Sequence, residues 1–166
     1  MGAGAGVSAD ELGHAHYREV LGRFATGVTV VTTLDADGPS GFTCQAFLSL
    51  SLDPELVAFA AGTSSRTWQR IQRAGRLCIN LLSDRQESLA RVFAEKTEHK
   101  FEGVGWHRSP LGMPLLEGTV GWIECELVEV HPAGDHALAV AKVGALGSGD
   151  GHPLVFYRGG YGTFGL

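Results

Sequence analysis

A chain of 166 residues has the size of one domain, and about 150 residues already bury roughly 68–70% of their unfolded surface without staples. Thirteen lysines and arginines against 18 aspartates and glutamates give a net charge of −5, and no basic cluster exceeds a pair, which excludes a nucleic-acid partner. Cys44, Cys78 and Cys125 are scattered among apolar neighbours with no Cys-x-x-Cys, so they read as core hydrophobes of a reducing, cytoplasmic compartment; the longest apolar run, Leu56 to Ala61, is too short to span a membrane.

Residues 1–10 lack a basic start and a signal-peptide core and read as a flexible tail, followed by one domain over residues 11–166. Ser8 with Glu11 is a capping box; Leu12, Ala15, His16, Val20, Leu21 and Phe24 then share one side of a helix expected to run to about Gly27 and to lid the fold. Val28 to Leu34 is almost wholly β-branched, and the turn Asp35 to Gly38 returns it as a hairpin. The stretch from Gly41 to Leu56 comes next, alternating at a strand period until Asp53-Pro54. One face is apolar and the other carries Thr43, Gln45, Ser49 and Ser51. It reads either as an ordinary half-solvated barrel strand or as a strand laying amides and small polar groups along a flat aromatic ligand.

Leu56 to Ala61 reads as a buried strand, and the polar segment Gly62 to Thr67 leads into a short helix with Trp68 and Ile71, closed by Gly75. Arg76 to Leu82 is a further strand, and a second capping box, Ser83 with Gln86, opens a helix through Leu89, Val92 and Phe93. Lys96 to Gly118 breaks into charge, Gly and Pro and reads as a long loop anchored by Phe101, Trp106 and Leu111. Val120 to Val130 and Ala137 to Leu146 form a hairpin about Pro132 to His136, and Pro153 to Tyr157 is the last strand, ending at Arg158 to Gly160.

About seven strands in hairpin succession with short peripheral helices predict a mainly β, antiparallel, closed barrel rather than a parallel sheet. A Rossmann dinucleotide site is excluded, because neither Gly2 to Gly6 nor Gly147 to Gly151 sits between a strand and a helix.

Two features could carry chemistry. Thr63 to Thr67 sets hydroxyls and the Arg66 guanidinium at a helix amino end, which suits a phosphate; the same residues also read as a plain N-cap by Ser64 or Ser65 with a surface arginine. His136 in Gly134-Asp135-His136 reads either as a donor or general acid facing a cleft, or as an inert turn histidine. The remaining histidines keep no ligand spacing, so no metal is expected. With no nucleophile elbow and no carboxylate pair, hydride transfer between two bound cofactors suits the inventory better than hydrolysis.

In order and spacing, Phe24–Thr33, Gly41–Thr43, Ser49–Pro54, Ser65 with Thr67 and Trp68, Asn80–Leu82, Phe93, Lys100–Phe101, Gly134–His136 and Pro153–Gly159 resemble the flavin reductase-like family. The resemblance runs from about Tyr17 to Phe164. Gly-Phe-x-Cys-Gln at Gly41 to Gln45 and Ser-Arg-x-Trp-Gln at Ser65 to Gln69 resemble the reductases that partner aromatic or steroid-ring hydroxylases. What the resemblance implies is an antiparallel Greek-key split β-barrel and hydride transfer from NADH or NADPH to FMN or FAD. It further implies a homodimer and a separate oxygenase component.

By the same resemblance Gly41, Phe42, Thr43, Cys44, Gln45, Ser49, Leu50 and Ser51 border the isoalloxazine edge. Ser64, Ser65 and Arg66 receive the flavin phosphate, Trp68, Lys100 and Phe101 belong to the cofactor site, Tyr161 closes over the ring, and His136 meets the nicotinamide. The chain departs from the family at Gln45-Ala46, where Asn-Ser is frequent, and at Glu55, where a second proline is frequent. A split-barrel flavoprotein with tightly held flavin that oxidises a small substrate, as pyridoxamine-phosphate oxidases do, and a non-catalytic flavin-binding protein are the alternatives.

Overall fold

In the computed structural model, which describes Ser8 and residues 13–164, the alternating stretch around Gly41 is two strands rather than one. β3 (Gly38–Cys44) and β4 (Phe47–Leu52) are parted at Gln45-Ala46 and lie at opposite edges of a seven-stranded antiparallel sheet. Its order is β3-β2-β6-β9-β10-β5-β4, with β2 (Thr29–Asp35), β5 (Glu55–Gly62), β6 (Arg76–Leu81), β9 (Gly121–Ala133) and β10 (His136–Ser148). Two edges joined by two residues force the sheet to curl until they meet. There the Ala60 amide donates to Ala46 O at 2.9 Å and the Cys44 thiol donates to Ala60 O at 3.4 Å. No β3–β4 ladder forms among the described residues, so the barrel is pinned at one corner and split beyond it.

Alternation fills the barrel. Ala137, Ala139 and Ala141 point inward with Val31, Phe59, Leu77 and Ile79, whereas Leu138 faces out. β2 is buried on both faces, which is why it is β-branched nearly throughout. Its second face meets another cluster, Val28, Val30, Leu82, Ala90, Phe93, Leu116 and Leu154. A small sheet of β1 (Thr26–Gly27), β11 (Leu154–Tyr157) and β12 (Gly160–Thr163) flanks that cluster. β12 follows the Arg158–Gly159 turn, so the chain does not finish at β11 as the sequence suggests.

α2 (Arg66–Ala74) is capped by Ser65 Oγ, which accepts from Trp68 N at 3.2 Å, and it drives Trp68 and Ile71 into the barrel core. Ahead of α3 (Glu87–Ala94) half of the expected box forms: Gln86 Oε1 accepts from Ser83 N at 2.9 Å, but Gln86 N donates to Ser83 O rather than to its hydroxyl, and the helix N-cap is Gln86, not Ser83. α1 (His14–Leu21) ends six residues before Gly27 and buries none of its residues, so it does not lid the fold; Glu11, Leu12 and residues 1–7 lie outside the described residues.

The expected loop at residues 96–118 contains a hairpin, β7 (Trp106–Arg108) with β8 (Pro114–Leu116). Three-residue strands carry no periodic signal, and these are held by distant partners. Leu116 N donates to Asn80 Oδ1 at 2.8 Å, and Thr32 Oγ1 donates to Pro114 O at 2.6 Å. Phe101 and Trp106 are anchors, with ring centroids 5.9 Å apart, but Leu111 is half-exposed.

Candidate functional site

β5 ends at Gly62, and the next residues turn at once into α2: Ser65 N donates to Gly62 O at 3.0 Å. Ser65 is thereby the N-cap, while Ser64 and Arg66 stand exposed, and the first turn of α2 holds no acidic residue. Its amino end therefore keeps its capacity for an anion. Arg66 pairs with Glu98, so the guanidinium already meets a carboxylate from the loop after α3. Below it Thr67 is buried, its hydroxyl 2.6 Å from Ser40 Oγ and donating to Gly41 O at 3.3 Å.

His136 opens β10 directly opposite Gly62. Its Nδ1 lies 2.7 Å from Asp135 Oδ1, and the imidazole holds the Asp135 carboxyl below its ordinary range. Nε2 lies on the side of Gly62, about where a Cβ there would stand 4.0 Å away, and the ring is half-exposed. Thr63 spans the remaining gap: its N and its Oγ1 both donate to Asp135 O, at 3.1 and 3.0 Å. The α2 amino end and the histidine turn are thus two walls of one surface, brought together across 72 residues of sequence. No periodicity signals that contact: Thr63 and Asp135 each stand in a motif legible in the sequence, but their pairing is not.

The Gly41 to Gln45 segment approaches the same surface from β3, mostly through its main chain. Gly41 O accepts from Lys100 Nζ at 3.2 Å as well as from Thr67, and Lys100 Nζ also donates to Phe93 O at 2.9 Å. Burial lowers the Lys100 pKa. The side chains are committed elsewhere: Thr43 Oγ1 donates to Ala90 O at 2.6 Å, Phe42 packs toward Phe59, and Cys44 closes the barrel corner. Trp68 is a core residue, 2% exposed and edge-on to Phe59, and Phe101 stands edge-on to Phe93.

Ser49, Leu50 and Ser51 lie farther along β4, where Ser49 faces Val57 across a bulge. Val57 is five positions before Gly62, about 17 Å along an extended strand. Tyr161 belongs to the small flanking sheet, with its ring edge-on to Phe156 and the Arg91 guanidinium 4.9 Å from its centroid. A surface cavity of about 640 Å³ lies at the other end of the β9–β10 hairpin, lined by His107, Arg108, Trp122 and Ser148 and by none of the expected site residues.

All three cysteines are buried and free. Burial pushes the Cys44 thiol up to about 11 and the Cys125 thiol up to about 12, and it raises Cys78 as well, so none supplies a thiolate nucleophile near neutral pH. Among the described residues no cluster of His, Cys, Asp and Glu is placed to hold a metal, and no helix is long and apolar enough to cross a membrane.

Residues 21–165 match the flavin reductase like domain family. The chain is 46% identical over 150 residues to a flavin reductase of Pseudomonas putida, covering 89% of this chain and 88% of that one. It is 44% identical over 156 residues to HsaB of Rhodococcus jostii, named as the reductase subunit of a flavin-dependent monooxygenase, covering 93% and 80%. The solved structure of the NADH:FAD oxidoreductase SgcE6 of Streptomyces globisporus, in complex with NAD and FAD fragments, superposes with a TM-score of 0.90 at 30% identity over 97% of each chain. A split barrel with an anion-ready helix end beside a half-exposed histidine, together with these likenesses, places the chain in the flavin reductase-like family, and it is a flavin reductase.

Proposed function

We propose that this flavin reductase oxidises NADH, reduces FMN or FAD bound across the Gly62–Arg66 segment, and releases the reduced flavin to a separate monooxygenase component. The observation that carries this reading is the joining of the α2 amino end to the His136 turn through Thr63, which sets a phosphate-binding wall beside an imidazole. The exposed Ser64 and Arg66 and the free amides of the first turn fit a flavin phosphate in charge and hydrogen-bonding type.

In this reading Ser64, Ser65 and Arg66 hold the phosphate, and the main chain of Gly41 to Gln45 borders the isoalloxazine. Ser49, Leu50 and Ser51 extend that border along β4, and Lys100 fixes β3 through Gly41 O. Trp68 and Phe101 support the site from behind by packing. Tyr161 closes the flank, and His136 contacts the nicotinamide through Nε2. Flavin and nicotinamide, when bound, supply the hydride chemistry between them. The protein's share is orientation and exclusion of water. NADH as the reductant is supported by the name of SgcE6, and an oxygenase partner by that of HsaB.

A homodimer completes the reading. Leu48, Leu50 and Leu52 stand 48%, 48% and 87% exposed on the edge strand β4, an apolar row that a second copy would cover. Three buried free thiols agree with work in the cytoplasm.

The test is nicotinamide oxidation followed by absorbance, with NADH or NADPH against FMN, FAD and riboflavin and a control without flavin. Turnover that depends on added flavin is expected. A yellow protein without turnover would overturn the reading in favour of a flavin held for another substrate. His136→Ala is expected to raise KM for the nicotinamide and to leave flavin affinity unchanged.

A further inference from the structure

We propose that Thr63 is a positioning residue that locks the Asp135–His136 turn to the amino end of α2, so that the flavin and nicotinamide halves of the site are coupled through its hydroxyl. The inference rests on the reading of His136 as the nicotinamide contact.

The β9–β10 hairpin overhangs the barrel. Each strand is 13 residues long, but β6 pairs with β9 only as far as Glu126. From there to the tip, β5 is the sole neighbouring strand among the described residues, and it ends at Gly62 opposite His136. Residues 131–136 are all exposed. A hairpin tip held along one side is free to swing, because few buried contacts resist it.

Past the last ladder pair, Thr63 supplies the tether: N and Oγ1 both donate to Asp135 O, at 3.1 and 3.0 Å, while Asp135 Oδ1 holds His136 Nδ1 at 2.7 Å. Any residue at position 63 provides the N–H. The second bond needs a hydroxyl. Two residues on, Ser65 caps α2, so a shift of the segment that loads the phosphate wall moves Asp135 with it.

The test compares Thr63→Val, which keeps shape and the N–H but removes the hydroxyl, with Thr63→Ser, which restores it. NAD+ binding is measured by calorimetry at saturating FMN, and thermal melts confirm the fold. Thr63→Val is expected to weaken NAD+ binding and raise KM for NADH by the same factor, about 3- to 10-fold, the worth of one hydrogen bond, with kcat within about twofold. By linkage, the enhancement of FMN affinity by NAD+ shrinks in parallel. Thr63→Ser recovers the wild-type values. In a His136→Ala background Thr63→Val has no further effect on NAD+ binding.

Unchanged NAD+ affinity in Thr63→Val, with His136→Ala clearly weakened, would overturn the inference and leave the reading of His136 intact. An equal loss from Thr63→Val with and without His136 would also overturn it, since the hydroxyl would then act on the fold alone. If His136→Ala itself bound NAD+ normally, the reading of His136 as the nicotinamide contact would fail and the inference with it.

Discussion

A side chain at Gly41 would collide with Phe93: a Cβ there would stand 2.6 Å from Cε1 and 2.9 Å from Cδ1 of the ring, with Val31 O 3.2 Å away on the strand side. The glycine that resemblance assigns to the flavin edge is thus already demanded by the packing of α3 on β3. Gly41→Ala forces the aromatic ring or the strand to move, and overpacking of this kind costs about 1–3 kcal/mol. Urea denaturation without flavin should show that loss. An unchanged midpoint would mean that Phe93 swings aside freely and that Gly41 serves the ligand alone.

Arg66 and Glu98 form an exposed pair, 80% and 72% accessible, so the pair itself adds little stability. Its consequence is for binding. Arg66→Ala should raise KM for FMN and FAD by about 3- to 10-fold and leave riboflavin, which lacks a phosphate, unaffected. Glu98→Gln, which frees the guanidinium, should act in the opposite direction with the same riboflavin control. Equal effects on FMN and riboflavin would remove Arg66 from the phosphate site.

Glu124 is 1% exposed on β9 and accepts from neutral donors: Ser109 Oγ, Leu111 N at 2.9 Å and Met113 N at 3.0 Å. It stitches the turn between β7 and β8 to the barrel. Glu124→Ala removes the acceptor of the Ser109 hydroxyl and of the part-buried Leu111 amide, while Met113 N keeps Ser109 Oγ at 2.8 Å, and should lower stability by about 1–3 kcal/mol. Activity per folded molecule should persist, because this turn is remote from His136. Measured Tm and kcat should separate accordingly; a stable variant with lost turnover would contradict this assignment.

Arg70 Nε donates to Asp35 Oδ2 at 2.8 Å, and Nη2 bonds Asp35 Oδ1 and Gly38 O, tying α2 to the β2–β3 turn. The guanidinium holds the Asp35 carboxyl below its ordinary 3.8. A carboxyl whose folded pKa is depressed stabilises the fold above its unfolded value and loses that contribution as pH falls through the folded value. Asp35→Asn should therefore be less stable than the parent at neutral pH, and the difference should shrink below about pH 4. Urea midpoints across pH 3 to 7 measure it, and a gap that persisted in acid would point to packing instead.

Local chemistry made much of this protein legible before any coordinates. The β-branched run of β2, the cap and left-handed Gly75 that bound α2 and the Ser83–Gln86 bond before α3 follow from backbone preferences acting within a few residues. Buried thiols and the class of the fold were legible for the same reason. The expected turn over Pro132 to His136, by contrast, shrinks to Gly134-Asp135 because β9 and β10 pair out to Ala133 and His136. The break at Gln45-Ala46 was not, since alternation continues through it and only barrel closure sends the two halves to opposite edges. β7 and β8 were hidden too, because their three-residue strands depend on Asn80, Thr32 and Glu124, residues distant in sequence.

The site divides along the same line. The residue types for an anion and a histidine stand in the sequence as two separate motifs, each readable as inert. Only the tertiary structure sets Thr63 on Asp135, because hydrogen bonds across 72 residues depend on where the ladder of β5 and β10 runs out, and no local preference encodes that point.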